Sequence, residues 1–347
     1  MLVPNKMLLK LKNYLMKIRC KMKKVIINGF GRIGRCILRL IWERYNDIEI
    51  IQINEPNADI ESIAYAIKYD SIYGSLNSTV SVDHQCGLIK LFSNIKEWEL
   101  KVTSECRPIF PYQDDTTIID ASDQCDIRKL CQDHQSFSRI LITKWNKNAF
   151  LTHLFNQNYM KRSLKNNIVS CGICDTVGIV PVLSIFSMAS IESISITTLH
   201  PFLNYQNLLD GYSRESINCN CQIGRSAINS VIPKKSSVEG ILCEVFPTLK
   251  NKLSFMTYRI PTETVTTCDM ELYFDRKTTK SEIEKLIKEN SNGVEYTTDN
   301  VVSRDYVNSV APAIIDLNWL MVSEKRVHLT FYYNNELGYA NSVCKII

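Results

Sequence analysis

Val25, Ile26 and Ile27 make a continuous β-branched run within residues 24–28, the pattern of a strand buried on both faces. The apolar period then changes: Ile33, Ile37, Leu38, Leu40 and Ile41 recur at helical spacing as far as Tyr45. A second apolar run at 48–53 predicts another strand, ended by Asn54-Glu55-Pro56. Downstream, strands are expected at 79–82, 87–92 and 116–120, with helices at 59–69 and 125–134. Residues 145–167 are polar, rich in Asn and Lys, and carry no period. From residue 167 a strand turns sharply into a helix near Asp175. Further strands are expected at 193–199, 255–260, 264–274 and 326–332, with helices at 280–290 and 336–347. The chain shows no internal repeat.

Gly29-Phe30-Gly31-Arg32-Ile33-Gly34 stands between the first strand and the first helix. Such a glycine pattern is weak alone. Here strand, turn, helix, strand and terminal carboxylate follow one another as a complete βαβ unit. Gly29 permits the tight turn, Gly31 lets the backbone approach a pyrophosphate, and Gly34 lets helix and strand pack closely. The pyrophosphate would sit on the free N–H groups of the helix N-terminus. Glu55 ends the second strand, where a carboxylate accepts hydrogen bonds from the adenosine ribose and repels a 2′-phosphate. NAD is therefore the expected cofactor, in preference to NADP.

Composition narrows the class. The chain has 347 residues, 22% charged and 45% hydrophobic, with 12 Gly and 10 Pro, which excludes collagen-like, low-complexity and wholly disordered proteins. The length suits about two domains. Its net charge of +5 is concentrated at one end. Residues 1–21 hold Lys6, Lys10, Lys12, Lys17, Arg19 and Lys21 and no acid, so without them the chain falls from +5 to −1. No nucleic-acid partner is expected of such a body. The basic stretch reads as an extension or a mis-called start, since Met22-Lys23-Lys24 followed by a strand looks like a bacterial start. No apolar run approaches the roughly 18 residues of a membrane span, so no membrane partner is expected. The 13 cysteines are scattered without a secretory signal and read as reduced cytoplasmic thiols.

From Lys23 onward the chain resembles the glyceraldehyde-3-phosphate dehydrogenase family, including its erythrose-4-phosphate dehydrogenase branch. The resemblance is carried by INGFGRIGR (27–35), INEP (53–56), KYDSIYG (68–74), NNIVSCGIC (166–174), TTLH (197–200), GRSAINSVIP (224–233), RIPT (259–262) and YNNELGYAN (333–341), in family order. INEP leans towards the erythrose-phosphate branch. The resemblance implies an α/β chain in two domains. An N-terminal Rossmann NAD-binding domain takes 22–173 and receives 335–347. An α+β catalytic domain with a mostly antiparallel sheet takes 174–334. It also implies a cytoplasmic homotetramer that oxidises a sugar-phosphate aldehyde, glyceraldehyde 3-phosphate foremost, through a thioester. Position by position, Cys174 becomes the nucleophile, His200 the base and Asn335 the contact to the nicotinamide amide. Asn28, Phe30, Arg32, Ile33 and Ser122 join the glycines and Glu55 around the cofactor, while Arg225, Thr176 and Ser236 hold substrate. The chemistry asks for these types: a thiolate adds to the aldehyde carbon, and the resulting hydroxyl centre expels hydride to leave a thioester. At a helix N-terminus, Cys174 is expected to have a lowered pKa.

The family surrounds its nucleophile with Ser-Cys-Thr-Thr-Asn, whereas this chain has Ile173-Cys174-Asp175-Thr176-Val177. Leu203 and Tyr205 stand where family members carry threonines, and Ser236-Ser237 replaces Thr-Gly. Nucleophile, base and cofactor site are kept while the phosphate shell is altered. Inorganic phosphate becomes a doubtful co-substrate, and water an alternative acyl acceptor. Two readings of different class follow: a divergent aldehyde dehydrogenase, or an NAD-binding paralogue with a regulatory or binding role. Asp175 has three readings: facing the phosphate, turned to solvent, or capping its helix. The Cys171-x-x-Cys174 spacing resembles a redox dithiol, with plain packing as the alternative. That pair and Cys219-x-Cys221 supply four thiols, but the second spacing is not that of a zinc ribbon, and no metal is expected.

Overall fold

β1 (Lys23–Asn28) is central because both its faces are apolar. Val25 and Ile27 pack beneath Ile37, Leu38 and Ile41, while Ile26 faces Ile118, Ile140, Ile142 and Ile168 on the other side. The structure, a computed structural model, describes residues 22–106, 116–122, 139–145, 151–154, 157–159, 168–186, 190–213, 221–290 and 293–347. The basic stretch 1–21, the helix expected at 125–134 and Cys219 lie outside these residues.

After β1 come α1 (Arg32–Arg44), β2 (Ile48–Asn54), α2 (Ile60–Lys68), β3 (Thr79–Asp83), β4 (Leu88–Phe92), β5 (Glu97–Thr103), β6 (Thr116–Asp120), β7 (Arg139–Ile142), β8 (Leu151–Leu154), β9 (Gln157–Tyr159) and β10 (Ile168–Ser170). Among the described residues they build one sheet in the order β3-β4-β5-β2-β1-β6-β7-β10-β8-β9. It is parallel from β5 to β8, with antiparallel strands at both edges. The chain leaves β1 for β2 on one side and later places β6 on the other. This is the switch point at which open α/β sheets bind ligands. Asp59 caps α2 by accepting the Ser62 N–H at 2.7 Å.

The second half runs α3 (Cys174–Leu183), β11 (Ile191–Pro201), β12 (Ile232–Lys234), α4 (Val238–Val245), β13 (Leu253–Ile260), β14 (Thr266–Phe274), α5 (Lys280–Glu289), β15 (Glu295–Thr297), β16 (Ile314–Ser323), β17 (Arg326–Tyr333) and α6 (Leu337–Cys344). Its sheet has the order β12-β13-β11-β14-β17-β16-β15 and is antiparallel except at β11/β13 and β15/β16. Along β11 the two-residue period buries Ile194, Ile196, Thr198 and His200 together. α3 lies against this sheet: Gly178 leaves room for the Tyr333 ring, which an added Cβ would meet at 2.6 Å. α6 packs back on α1, with Tyr45 Oη donating to Asn341 Oδ1 at 3.3 Å. Arg32 adds a second link, Nε and Nη2 donating to the two Glu336 oxygens at 2.9 and 2.6 Å.

Candidate active site

The glycine turn lies at the carboxyl ends of β1 and β6. Gly29 adopts φ +92°, open to glycine at little cost, and an added Cβ would meet the Ala121 backbone at 2.6 Å. A Cβ on Gly34 would overlap the Gly29 carbonyl oxygen, so helix and strand touch here through bare backbone. At Gly31 an added Cβ meets nothing within 4 Å, and the residue borders a cavity of about 760 Å³ with Arg32 and Ile33. Two glycines thus close the turn and the third leaves open space at an uncapped helix N-terminus, as a pyrophosphate requires. Beneath the turn, Asn28 Nδ2 donates to Asp120 Oδ1 at 2.9 Å, and Asn28 Oδ1 accepts from Asn54 at the same distance. Ser122 Oγ donates to the same Asp120 oxygen at 2.7 Å, and Phe30 is buried. Glu55 Oε2 accepts the Phe30 N–H at 2.8 Å, which fixes its carboxylate beside the turn.

Along the same cavity lie Cys174, Asp175, His200, Arg259 and Asn335. Cys174 is the first residue of α3, and its Sγ is 3.5 Å from His200 Nε2. His200 Nδ1 is 2.8 Å from the Pro201 carbonyl oxygen. A carbonyl only accepts, so in the neutral ring Nδ1 carries the hydrogen and the Nε2 lone pair faces the thiol. Burial, with Arg259 beside it, lowers the imidazole to about 4 against the opposing pull of Asp175. Asn335 Oδ1 accepts the N–H of Val265, a β-branched residue held at φ +67°.

Asp175 is buried, which excludes the solvent-facing reading. Its Oδ1 accepts from Tyr333 Oη at 2.7 Å and stands 3.9 Å from both Cys174 Sγ and His200 Nε2. This overturns the expected thiol pKa. Burial and then the Asp175 carboxylate push the Cys174 thiol well above its ordinary range, outweighing the helix N-terminus.

The other expected substrate residues divide. Ser236 lines the cavity; Thr176 and Arg225 do not. Thr176 is fully buried, its Oγ1 accepting the Ile173 N–H at 3.0 Å and donating to the Ile173 carbonyl at 2.8 Å, so it closes the first turn of α3. Arg225 is largely exposed and pairs with Asp210 Oδ2 at 2.7 Å. Besides Arg32 and Lys144, the cations that line the cavity are Arg259, Lys234 and Lys235. Arg259 is buried and sits opposite His200 in the parallel β11/β13 register, and its Nε has no acceptor among the described residues. Lys234 Nζ donates to Tyr205 Oη at 3.2 Å. The signals were a lone arginine within RIPT and two lysines directly before Ser236, neither of which periodicity singles out. Cys171 is buried in the core with its thiol pushed up to about 12, the packing alternative for that residue.

Family models match the chain twice. The NAD binding domain of glyceraldehyde 3-phosphate dehydrogenase matches residues 23–110, and the C-terminal domain matches residues 173–335. The protein named glyceraldehyde-3-phosphate dehydrogenase 1 of Saccharomyces cerevisiae is 30% identical over 338 residues, covering 94% of this chain and 98% of that one. The glyceraldehyde-3-phosphate dehydrogenase of Schistosoma mansoni is 28% identical, covering 93% and 96%. The cytosolic enzyme of that name from Chondrus crispus is also 28% identical, covering 93% and 97%. No helix among the described residues is long and apolar enough to cross a membrane.

Proposed function

Because the chain belongs to the glyceraldehyde-3-phosphate dehydrogenase family, with its NAD-dependent dehydrogenase activity, we propose that it oxidises glyceraldehyde 3-phosphate through a thioester on Cys174. The observation that carries this reading is the Cys174–His200 pair, 3.5 Å apart at a cavity that reaches the glycine turn. His200 Nε2 takes the thiol proton as sulfur adds to the aldehyde carbon and passes it to the former carbonyl oxygen, which becomes a hydroxyl. NAD, when bound, supplies the hydride acceptor. Loss of hydride from carbon and of the hydroxyl proton leaves the thioester, with a nearby base such as His200 receiving that proton. Asn335 orients the cofactor's amide, and Arg259, Lys234 and Lys235 hold the substrate phosphate. The domain division at 173/174, with the return of 335–347, belongs to the same reading, as does the homotetramer. The exposed Leu208, Leu209, Tyr212 and Val231 offer a second copy apolar surface to cover.

NADH formation by the purified protein tests this, with glyceraldehyde 3-phosphate and erythrose 4-phosphate each supplied with and without inorganic phosphate. Glyceraldehyde 3-phosphate should give the faster rate, and Cys174→Ser should abolish it. A faster rate with erythrose 4-phosphate would move the chain to that branch, and a phosphate-independent rate would name water as acyl acceptor. The buried Asp175 carboxylate beside the thiol favours a second reading, an NAD-binding paralogue without flux, which is what NAD binding with no NADH from either aldehyde would establish.

A further inference from the structure

Cys174 Sγ, Asp175 Oδ1 and His200 Nε2 form a triangle with edges of 3.5, 3.9 and 3.9 Å. A tetrahedral zinc ion holds sulfur at about 2.3 Å and nitrogen or oxygen at about 2.0–2.2 Å, which sets ligand–ligand separations of about 3.3–3.7 Å. The observed edges are those of a tetrahedral face, two of them slightly open. We propose that these three side chains bind a zinc-type divalent cation that reversibly blocks the nucleophile.

Two of the three ligands are already held from behind. The Pro201 carbonyl fixes Nδ1 of His200 and so aims the Nε2 lone pair inward, and Tyr333 Oη anchors the Asp175 carboxylate. Such supporting hydrogen bonds orient ligands in metal sites. One thiol, one imidazole and one carboxylate suit zinc and not magnesium or calcium, which take oxygen ligands. On binding, the thiol releases its proton to solvent and sulfur bonds the metal, with no change of oxidation state. Thiolate and carboxylate together then balance the 2+ charge, so the aspartate that opposes a bare thiolate favours a metal-bound one. All three residues line the cavity, which leaves the fourth position open to water. This arrangement differs from the four-thiol site weighed in the sequence: it uses one cysteine and two residues that Cys-x-x-Cys spacing does not involve.

The geometry stands without the proposed reaction; only the inhibitory effect rests on it. Titration of the purified protein with cobalt(II) alone should give one equivalent of binding with a sulfur-to-cobalt charge-transfer band, displaced by zinc and absent in Cys174→Ser. Asp175→Asn, checked for NAD binding as proof of folding, should weaken the affinity by about 10–100-fold. In the unsubstituted protein, zinc should slow iodoacetamide labelling of Cys174, and a chelator should restore it. A band that survives Cys174→Ser, unchanged affinity in Asp175→Asn, or unprotected Cys174 would each overturn the site. Cobalt binding by a protein whose metal-free form yields no NADH would instead count against the dehydrogenase reading and leave the metal site standing.

Discussion

His200 is held neutral by where it sits. Its imidazole titrates at about 4 in the folded chain, against an ordinary value of 6.5. The unfolded chain therefore takes up a proton as pH falls through 6.5, while the folded chain resists until near 4, and stability declines across that window. Between pH 7 and pH 5 this one group should cost about 2 kcal/mol. Urea unfolding at the two pH values reads it: His200→Gln, which does not titrate, should lose less stability than the unsubstituted protein by about that amount. Equal losses would mean that His200 is not buried as a neutral base. Cys174 tells a related lesson. Its place at a helix N-terminus is local and legible, but the thiol's charge is decided by desolvation and by Asp175. Both oppose the dipole, whose influence is about 1 kcal/mol at an ordinary helix end.

At the scale of the element, the turn between β1 and α1 holds two glycines packed against backbone and a third, Gly31, that faces open space. Gly34→Ala would drive a methyl into the Gly29 carbonyl and should destabilise the protein by about 1–3 kcal/mol. Gly31 has φ −71° and free space around it, so Gly31→Ala should leave stability within about 0.5 kcal/mol. Its methyl would stand where a pyrophosphate must approach, so NAD affinity should fall at least about tenfold. Thermal unfolding and a fluorescence titration with NAD check the pair. A Gly31→Ala protein that binds NAD normally would remove that glycine from the cofactor site. Other elements were less legible. β5 alternates buried Trp98 and Leu100 with exposed charges, a period present in the sequence but short. β16 carries Asp316, Asn318 and Trp319 within an apolar stretch, which breaks its alternation. β7 is a four-residue interior strand with no helix-or-strand period of its own to read.

At the scale of the molecule, Arg32 joins the first helix to the end of the chain. Its guanidinium meets Glu336 through two hydrogen bonds and Asp70 at 2.5 Å, and Tyr73 Oη donates to the same glutamate at 3.0 Å. Glu336→Ala would leave a mostly buried cation short of a partner and should cost about 3 kcal/mol in urea unfolding. A change within about 0.5 kcal/mol would show that the return of the C-terminus contributes little to stability. The βαβ unit, the glycine turn, the Glu55 carboxylate and the candidate pair Cys174 and His200 were legible along the chain. Hydrophobic period and glycine chemistry act over a few neighbouring residues, so they can be read in order along the chain. Tertiary structure alone brought Cys174 within reach of His200, 26 positions away, and turned Asp175 inward onto Tyr333, 158 positions away. The parallel register of β11 and β13 set Arg259 beside His200, and a surface loop paired Arg225 with Asp210, away from the cavity. A side chain in the first turn of a helix, or at the end of a strand, takes its direction and its charge from whatever packs against it. Those neighbours come from distant parts of the chain, and only folding brings them together.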